Sequence, residues 1–159
     1  MITSRRDYIL RIIDEVGRLL ARVVLKRKGG ADQEALETVV AGFQRLFSLD
    51  GDQIFLLTPE HHYGLLTSDP AATPEDARDK VLLYAALSAE AGAIYAKQGN
   101  VALARATRLN ALRFALRARA EFPQEGLPAY APDVAALLSA LGSEPLDEDT
   151  AELVRKANL

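Results

Sequence analysis

A chain of 159 residues with a formal charge of −3 and no cysteine is long enough to bury a sizeable core in one domain, and it excludes disulfides, thiolate metal sites and cysteine nucleophiles. The opening residues carry Arg5, Arg6 and Asp7 where a secretory signal would be apolar, and no long uncharged apolar run follows, so the expectation is a cytoplasmic protein with no membrane span. Ala, Leu, Arg and Glu outweigh β-branched and aromatic residues, which predicts an all-α fold.

The spacing predicts a first helix over 5–28, capped by Ser4 or Thr3, with Asp7 at the positive end of its dipole. Ile9, Ile12, Ile13, Val16, Leu19, Leu20, Val23 and Val24 recur at three and four residues as a buried stripe. Arg11, Glu15, Arg18 and Arg22 line the opposite face, spaced for local ion pairs, and Gly29-Gly30 ends the helix. A second helix runs from near Asp32 to Phe47 on Leu36, Val39, Val40, Phe43, Leu46 and Phe47. Gly42 sits on or beside that stripe, where a missing Cβ admits another helix. Together they predict an antiparallel hairpin over 5–47.

The pattern then weakens into short helices over 50–67, one opened by Asp50 and one by Thr58-Pro59-Glu60. Thr73-Pro74-Glu75-Asp76 is the clearest helix start in the chain and opens a second hairpin over 74–120. Its first helix uses a face of mostly small residues, Val81, Tyr84, Ala85, Ser88, Ala91, Gly92 and Tyr95, which predicts tight packing against one of the neighbouring long helices. Its second buries Leu103, Ala104, Ala111, Phe114, Ala115 and Ala118 by spacing, until Pro123 and Gly126-Leu127-Pro128 break the pattern. Two terminal helices follow over 132–141, with Pro132 as first residue, and over 147–156.

Aligned on their turns, Gly30 of the first hairpin pairs with Gly99 of the second and Ala35 with Ala104, an offset of 69 residues each time. That is close to twice the roughly 34-residue tetratricopeptide period. Gly92, Tyr95, the turn at Gly99-Asn100, Ala104 and Ala111 make the second hairpin resemble that family in detail. The layout of the whole chain is similar to a family of short, functionally uncharacterised bacterial proteins of this kind. The resemblance implies a short right-handed array of hairpins with extra terminal helices, in which the Gly and Ala positions are small because helices touch there and Tyr95 fills the gap between them. Departures are clear: Ser88 stands for a large aromatic, Ala91 for Leu and Arg108 for an aromatic, and the first hairpin matches only at Gly30, Ala35 and Gly42. Residues 50–67 read as a degenerate middle unit. The resemblance implies no activity, cofactor or site residue.

Candidate chemistry is sparse. His61 and His62 are adjacent, hence about 100° apart on a helix, and no second cluster of ligand residues accompanies them, so they read as surface or half-buried helix residues rather than a metal site. No phosphate loop, dinucleotide motif or catalytic constellation is recognisable, which leaves no cofactor, no metal and no enzyme reading. Charge is the remaining lead. Residues 1–28 carry eight Lys/Arg against three acids, and residues 100–120 carry five Arg and no acid. Arg11, Arg18 and Arg22 with Arg105, Arg108, Arg113 and Arg117 are therefore candidate partner-binding residues. The alternative is that they are solvated or paired within the chain, with Asp76, Asp79 and Glu37 among the acids at hand. The expectation is a non-enzymatic module that binds a protein or peptide, or itself as a homodimer. Binding of an anionic ligand through the Arg-rich helices is the alternative, and nucleic acid its weaker version, since the chain is acidic overall and offers few aromatics for base stacking.

Overall fold

The computed structural model describes residues 4–159 and arranges them as eight helices: α1 (Arg5–Lys28), α2 (Asp32–Phe47), α3 (Gly51–Phe55), α4 (Pro59–Thr67), α5 (Pro74–Lys97), α6 (Val101–Glu121), α7 (Val134–Leu141) and α8 (Glu148–Lys156). Among the described residues there is no strand, and no helix is long and apolar enough to cross a membrane. The helices begin where their caps dictate. Ser4 accepts the backbone N–H of Asp7 at 3.0 Å, while Thr3, the other candidate, lies outside the described residues. Thr58 and Thr73 cap α4 and α5 in the same way, each with Pro at the first helical position. The expected start of α7 at Pro132 is corrected: Asp133 caps the helix by accepting Ala136 N–H at 3.2 Å, so Pro132 stays in the preceding segment.

The two hairpin turns share three backbone hydrogen bonds. Gly29 N–H donates to Leu25 O at 3.0 Å, Gly30 to Arg27 at 3.1 Å and Ala31 to Lys26 at 2.8 Å. Sixty-nine residues on, Gln98 donates to Ile94 at 3.0 Å, Gly99 to Ala96 at 3.1 Å and Asn100 to Tyr95 at 2.9 Å. Both glycines take positive φ, +82° and +78°, the left-handed conformation that lets the chain reverse after a helix without a Cβ clash. Ala35 and Ala104, one turn into the following helices, are both buried.

Helix α5 is the pillar of the molecule. α1, α2, α4 and α6 all pack on it, so every residue from Val81 to Ser88 is buried. The expectation of a single small-residue face on α5 is thus corrected to burial around most of its circumference. Two glycines set the closest approaches. A Cβ on Gly42 would stand 2.9 Å from Leu87 Cδ1, and one on Gly92 would stand 2.7 Å from Arg108 Cγ and 3.0 Å from Thr107 Oγ1. α5 therefore packs tightly against both α2 and α6. On its far side α6 is covered by α7 and α8, where Leu112, Leu116, Leu137 and Leu141 form a second apolar cluster.

The segment after α6 is tied down from α5. Arg78, 2% exposed, donates from Nη1 to the carbonyls of Pro123 (2.7 Å) and Glu125 (2.8 Å), from Nη2 to Gly126 O (3.2 Å) and from Nε to Asp79 (3.0 Å). Four donations satisfy a guanidinium that burial would otherwise penalise heavily, and they give loop carbonyls the partners a helix would have supplied.

Replacing Gly92 by Val should cost about 1–3 kcal/mol, because Arg108 and Thr107 must give way across the α5–α6 contact. Gly64→Ala, in α4 with nothing within 4 Å of the added Cβ, should stabilise by about 0.5–1 kcal/mol from helix propensity alone. Urea denaturation of both variants checks the pair, and equal effects would contradict the packing described.

Candidate functional site

Because α3 and α4 are short, they close only one end of the space between α2 and α6, and an apolar groove of about 330 Å³ remains over α5. Ser88 and Ala91 of α5 form its floor, between the rings of Tyr84 and Tyr95. One wall comes from Leu36, Val39, Val40 and Phe43 of α2, the other from Leu103, Ala106, Thr107 and Asn110 of α6. Ile54, Phe55, Leu57 and Pro59 stand at the closed end. Side chains that would ordinarily be covered stay in solvent around it: Phe55 is 66% exposed, neighbouring Leu56 85% and Leu103 44%. Burial of Leu103, expected from spacing, is thereby corrected, since no helix lies over that part of α6.

Beneath the groove lies a polar centre wrapped in rings. His62 is 7% exposed, which corrects the surface or half-buried reading of this residue; His61 is exposed and helps cap α4. His62 Nε2 is 2.8 Å from the carbonyl of Ile54, which can only accept, so Nε2 carries a proton. In the neutral ring Nδ1 then accepts from the Tyr84 hydroxyl at 3.1 Å. Tyr84 stacks on Phe114 with centroids 4.3 Å apart and meets Phe43 at 5.1 Å, while Phe47 packs on His62 at 5.0 Å. Burial pushes the Tyr84 phenol up to about 12, with Ser88 opposing the shift. Every buried polar side-chain atom here has a partner, so this centre holds the groove's shape and offers no spare donor to a ligand.

The candidate arginines lie on two helices with different main neighbours: α1 packs chiefly on α2 and α5, α6 chiefly on α5, α7 and α8. On α6 two of the guanidiniums, those of Arg105 and Arg117, are paired within the chain. Arg117 pairs with Glu60 at 3.0 Å and Glu121 at 3.2 Å and lies 3.5 Å from the Tyr63 ring centroid. Tyr63 in turn donates to Glu121, and burial together with that carboxylate raises its phenol well above the usual range. Arg105 reaches Glu144 at 3.2 Å and the carbonyl of Pro145 at 3.1 Å. Arg113 lies by Asp147, the cap of α8, whose carboxyl is held below its usual range by Thr150 first and by Arg113 in part. Arg108 lays its stem on Gly92 and makes no ion pair among the described residues. On α1, Arg18 pairs with Asp14 at 2.6 Å, and Arg11 and Arg22 are exposed without an ion pair among the described residues. Of the acids named as intramolecular partners, Asp76 takes Arg6 at 3.2 Å and Asp79 takes Arg78, whereas Glu37 makes no ion pair among the described residues.

Of the repeat positions, Gly30 and Gly99 sit at the hairpin turns, Gly92 and Ala104 at the α5–α6 contact and Tyr95 on the groove, while Ala35 is buried in the main core and Ala111 in the second cluster. No group of three or more His, Asp or Glu among the described residues is placed to hold a metal ion. A larger cleft of about 570 Å³ runs beside Leu82 and Ala115, but its outer wall is the connecting segment that leads to α7 and the last residue, Leu159. No protein-family description, curated protein or solved structure matches this chain at a meaningful level. The groove was not legible in the sequence, since its lining comes from five helices; the weak patterning of 50–67 was the one signal that cover would be missing there.

Tyr84→Phe should cost about 1–2 kcal/mol near neutrality by stranding His62 Nδ1. The raised Tyr84 phenol contributes stability that is fully present below about pH 10, its unfolded range, and is lost as pH rises toward its folded value of about 12. Urea titrations between pH 9 and about 12 should therefore fall less steeply for Tyr84→Phe than for the parent; parallel curves would contradict the buried pair.

Proposed function

We propose that this protein is a non-enzymatic binding module, a shortened tetratricopeptide-like array whose degenerate middle unit leaves the α2–α5–α6 groove for an amphipathic segment of a partner protein. The observation that carries the reading is the groove itself: an uncharged, largely apolar trough edged by solvent-exposed Phe55, Leu56 and Leu103. Its volume lies at the lower end of the roughly 300–1,000 Å³ typical of ligand sites, which suits a few apolar anchor side chains of a helix presented at i, i+3 or i+4 and i+7. Charge narrows the partner. Glu37 flanks Leu36 and Val40 on α2, Asp52 precedes Phe55 on α3, and the α6 residues that line the groove, Leu103, Ala106, Thr107 and Asn110, are uncharged. A segment with apolar anchors and Lys or Arg beside them complements that rim.

Two further readings stay in play with less support. A second copy as the occupant, giving a homodimer, draws on the same exposed residues, with Leu56 as the natural knob. Anion or nucleic-acid binding draws on Arg11 and Arg22 of α1, because Arg105 and Arg117 of α6 are already paired within the chain.

A designed helical peptide with Leu at the anchor positions and Lys elsewhere should bind at micromolar concentration by fluorescence anisotropy. Ala106→Glu, which puts a charge in the wall, should weaken that binding at least tenfold while leaving helix content intact. Equal affinity for the parent and for Ala106→Glu would refute the groove as the site. A concentration-dependent dimer in light scattering that Leu56→Lys disperses would instead favour self-association.

A further inference from the structure

A separate cavity, about 370 Å³, lies away from the groove at the junction of α1, the end of α2 and the loop between α4 and α5. Buried Ile9, Ile12 and Leu46 form its apolar side; Arg5, Ser48, Ser68 and Asp69 stand on the polar side. Lys80 of α5 also lines it and is 7% exposed. The first turns of α5 carry three buried charged residues, and two are satisfied: Asp76 by Arg6 at 3.2 Å, Arg78 by the loop carbonyls it holds. Lys80 is the exception. Among the described residues its ammonium has no ion pair and no hydrogen bond, and the acids nearest to it are committed elsewhere. Asp69 takes Arg5 at 2.9 Å on one oxygen and Ala71 N–H at 2.9 Å on the other, and Asp76 holds Arg6.

The Lys80 stem is buried, but its unpaired ammonium keeps contact with solvent through the cavity. Partial desolvation there pushes it below its ordinary range, with Asp69 and Asp76 opposing the shift and Arg5 adding to it. An anion brought into the cavity relieves that cost. The charges around the space, Lys80 and Arg5 against Asp69, sum to one positive unit and so match a single negative charge. A dianion such as phosphate would meet Asp69 with a charge left over, and Arg5 is not free to offer its planar fork. The aliphatic side chains on the other side favour a ligand with an apolar body.

We propose that this cavity binds a small organic monocarboxylate, its carboxylate paired with Lys80 and its alkyl portion lying against Ile9, Ile12 and Leu46. The site is independent of the groove, and failure of either leaves the other standing.

The test uses the full chain with hexanoate as the probe, hexanamide as its uncharged counterpart and inorganic phosphate as the dianion, read by calorimetric titration and thermal shift. Hexanoate should bind and raise the melting temperature, hexanamide should bind at least tenfold more weakly, and phosphate should not displace hexanoate. Lys80→Met, which keeps the unbranched stem and removes the charge, should weaken hexanoate at least tenfold. As a reading that requires no variant, hexanoate should move the side-chain NMR resonances of Lys80 in the parent protein. The proposal is overturned by absent hexanoate binding, by equal affinity for hexanamide, by displacement with phosphate, by undiminished binding to Lys80→Met or by a Lys80 signal that does not move.

Discussion

The encirclement of α5 is the constraint on which the rest of the structure depends. A helix packed by four others has to be small where they come close, and Gly92, Ala85 and Ala91 meet that demand, as does Gly42 on the α2 side. Such a helix also takes some charged residues inside with it: Asp76, Arg78 and Lys80 are buried, while Glu75 and Lys97 near its ends stay exposed. Each of the three then shapes its surroundings. Asp76 is bonded to Arg6 at the start of α1, Arg78 fixes the segment that follows α6, and Lys80 is left facing a cavity. Isolated buried charge is so unfavourable that the surrounding chain must be arranged around it.

The same constraint produces the groove. Two long hairpins share α5 as a wall, but the residues between them form only a five-residue and a nine-residue helix, too little to cover α5 between α2 and α6. What that short segment does supply is His62. Held between Ile54 O and Tyr84 and packed among Phe47 and its neighbours, it joins the closed end of the groove to the floor. The trough is thus rigid below and open above, the combination expected of a preformed docking surface.

Features set by neighbouring residues were legible in the sequence. The turns at Gly30 and Gly99, the caps at Ser4, Thr58 and Thr73 and the boundaries of the long helices all follow from residues within a turn or two of one another. Features set by where helices land were not. Periodicity reports that α5 has a small-residue face but not how many helices surround it, so nothing in Asp76-Ala77-Arg78-Asp79-Lys80 announces the burial of Arg78. The arginine row of α6 was visible as a row. Its partners were not, because Glu60 lies 57 residues before Arg117 in the chain and Glu144 lies on a loop beyond α7. Arg108, singled out because it replaces a family aromatic, contributes its aliphatic stem to the Gly92 contact.

Buried charges thus tie the first turns of α5 to their surroundings, while the surface left open over its middle is apolar. The most direct measurement of this claim is an amide-shift map of the uniformly labelled protein titrated with the Leu/Lys helical peptide. The account predicts that the perturbed residues cluster on Leu36, Val40, Ala91, Leu103 and Ala106, with Arg11, Arg18 and Arg22 of α1 unmoved. A map centred on the α1 arginines, with the groove silent, would contradict it.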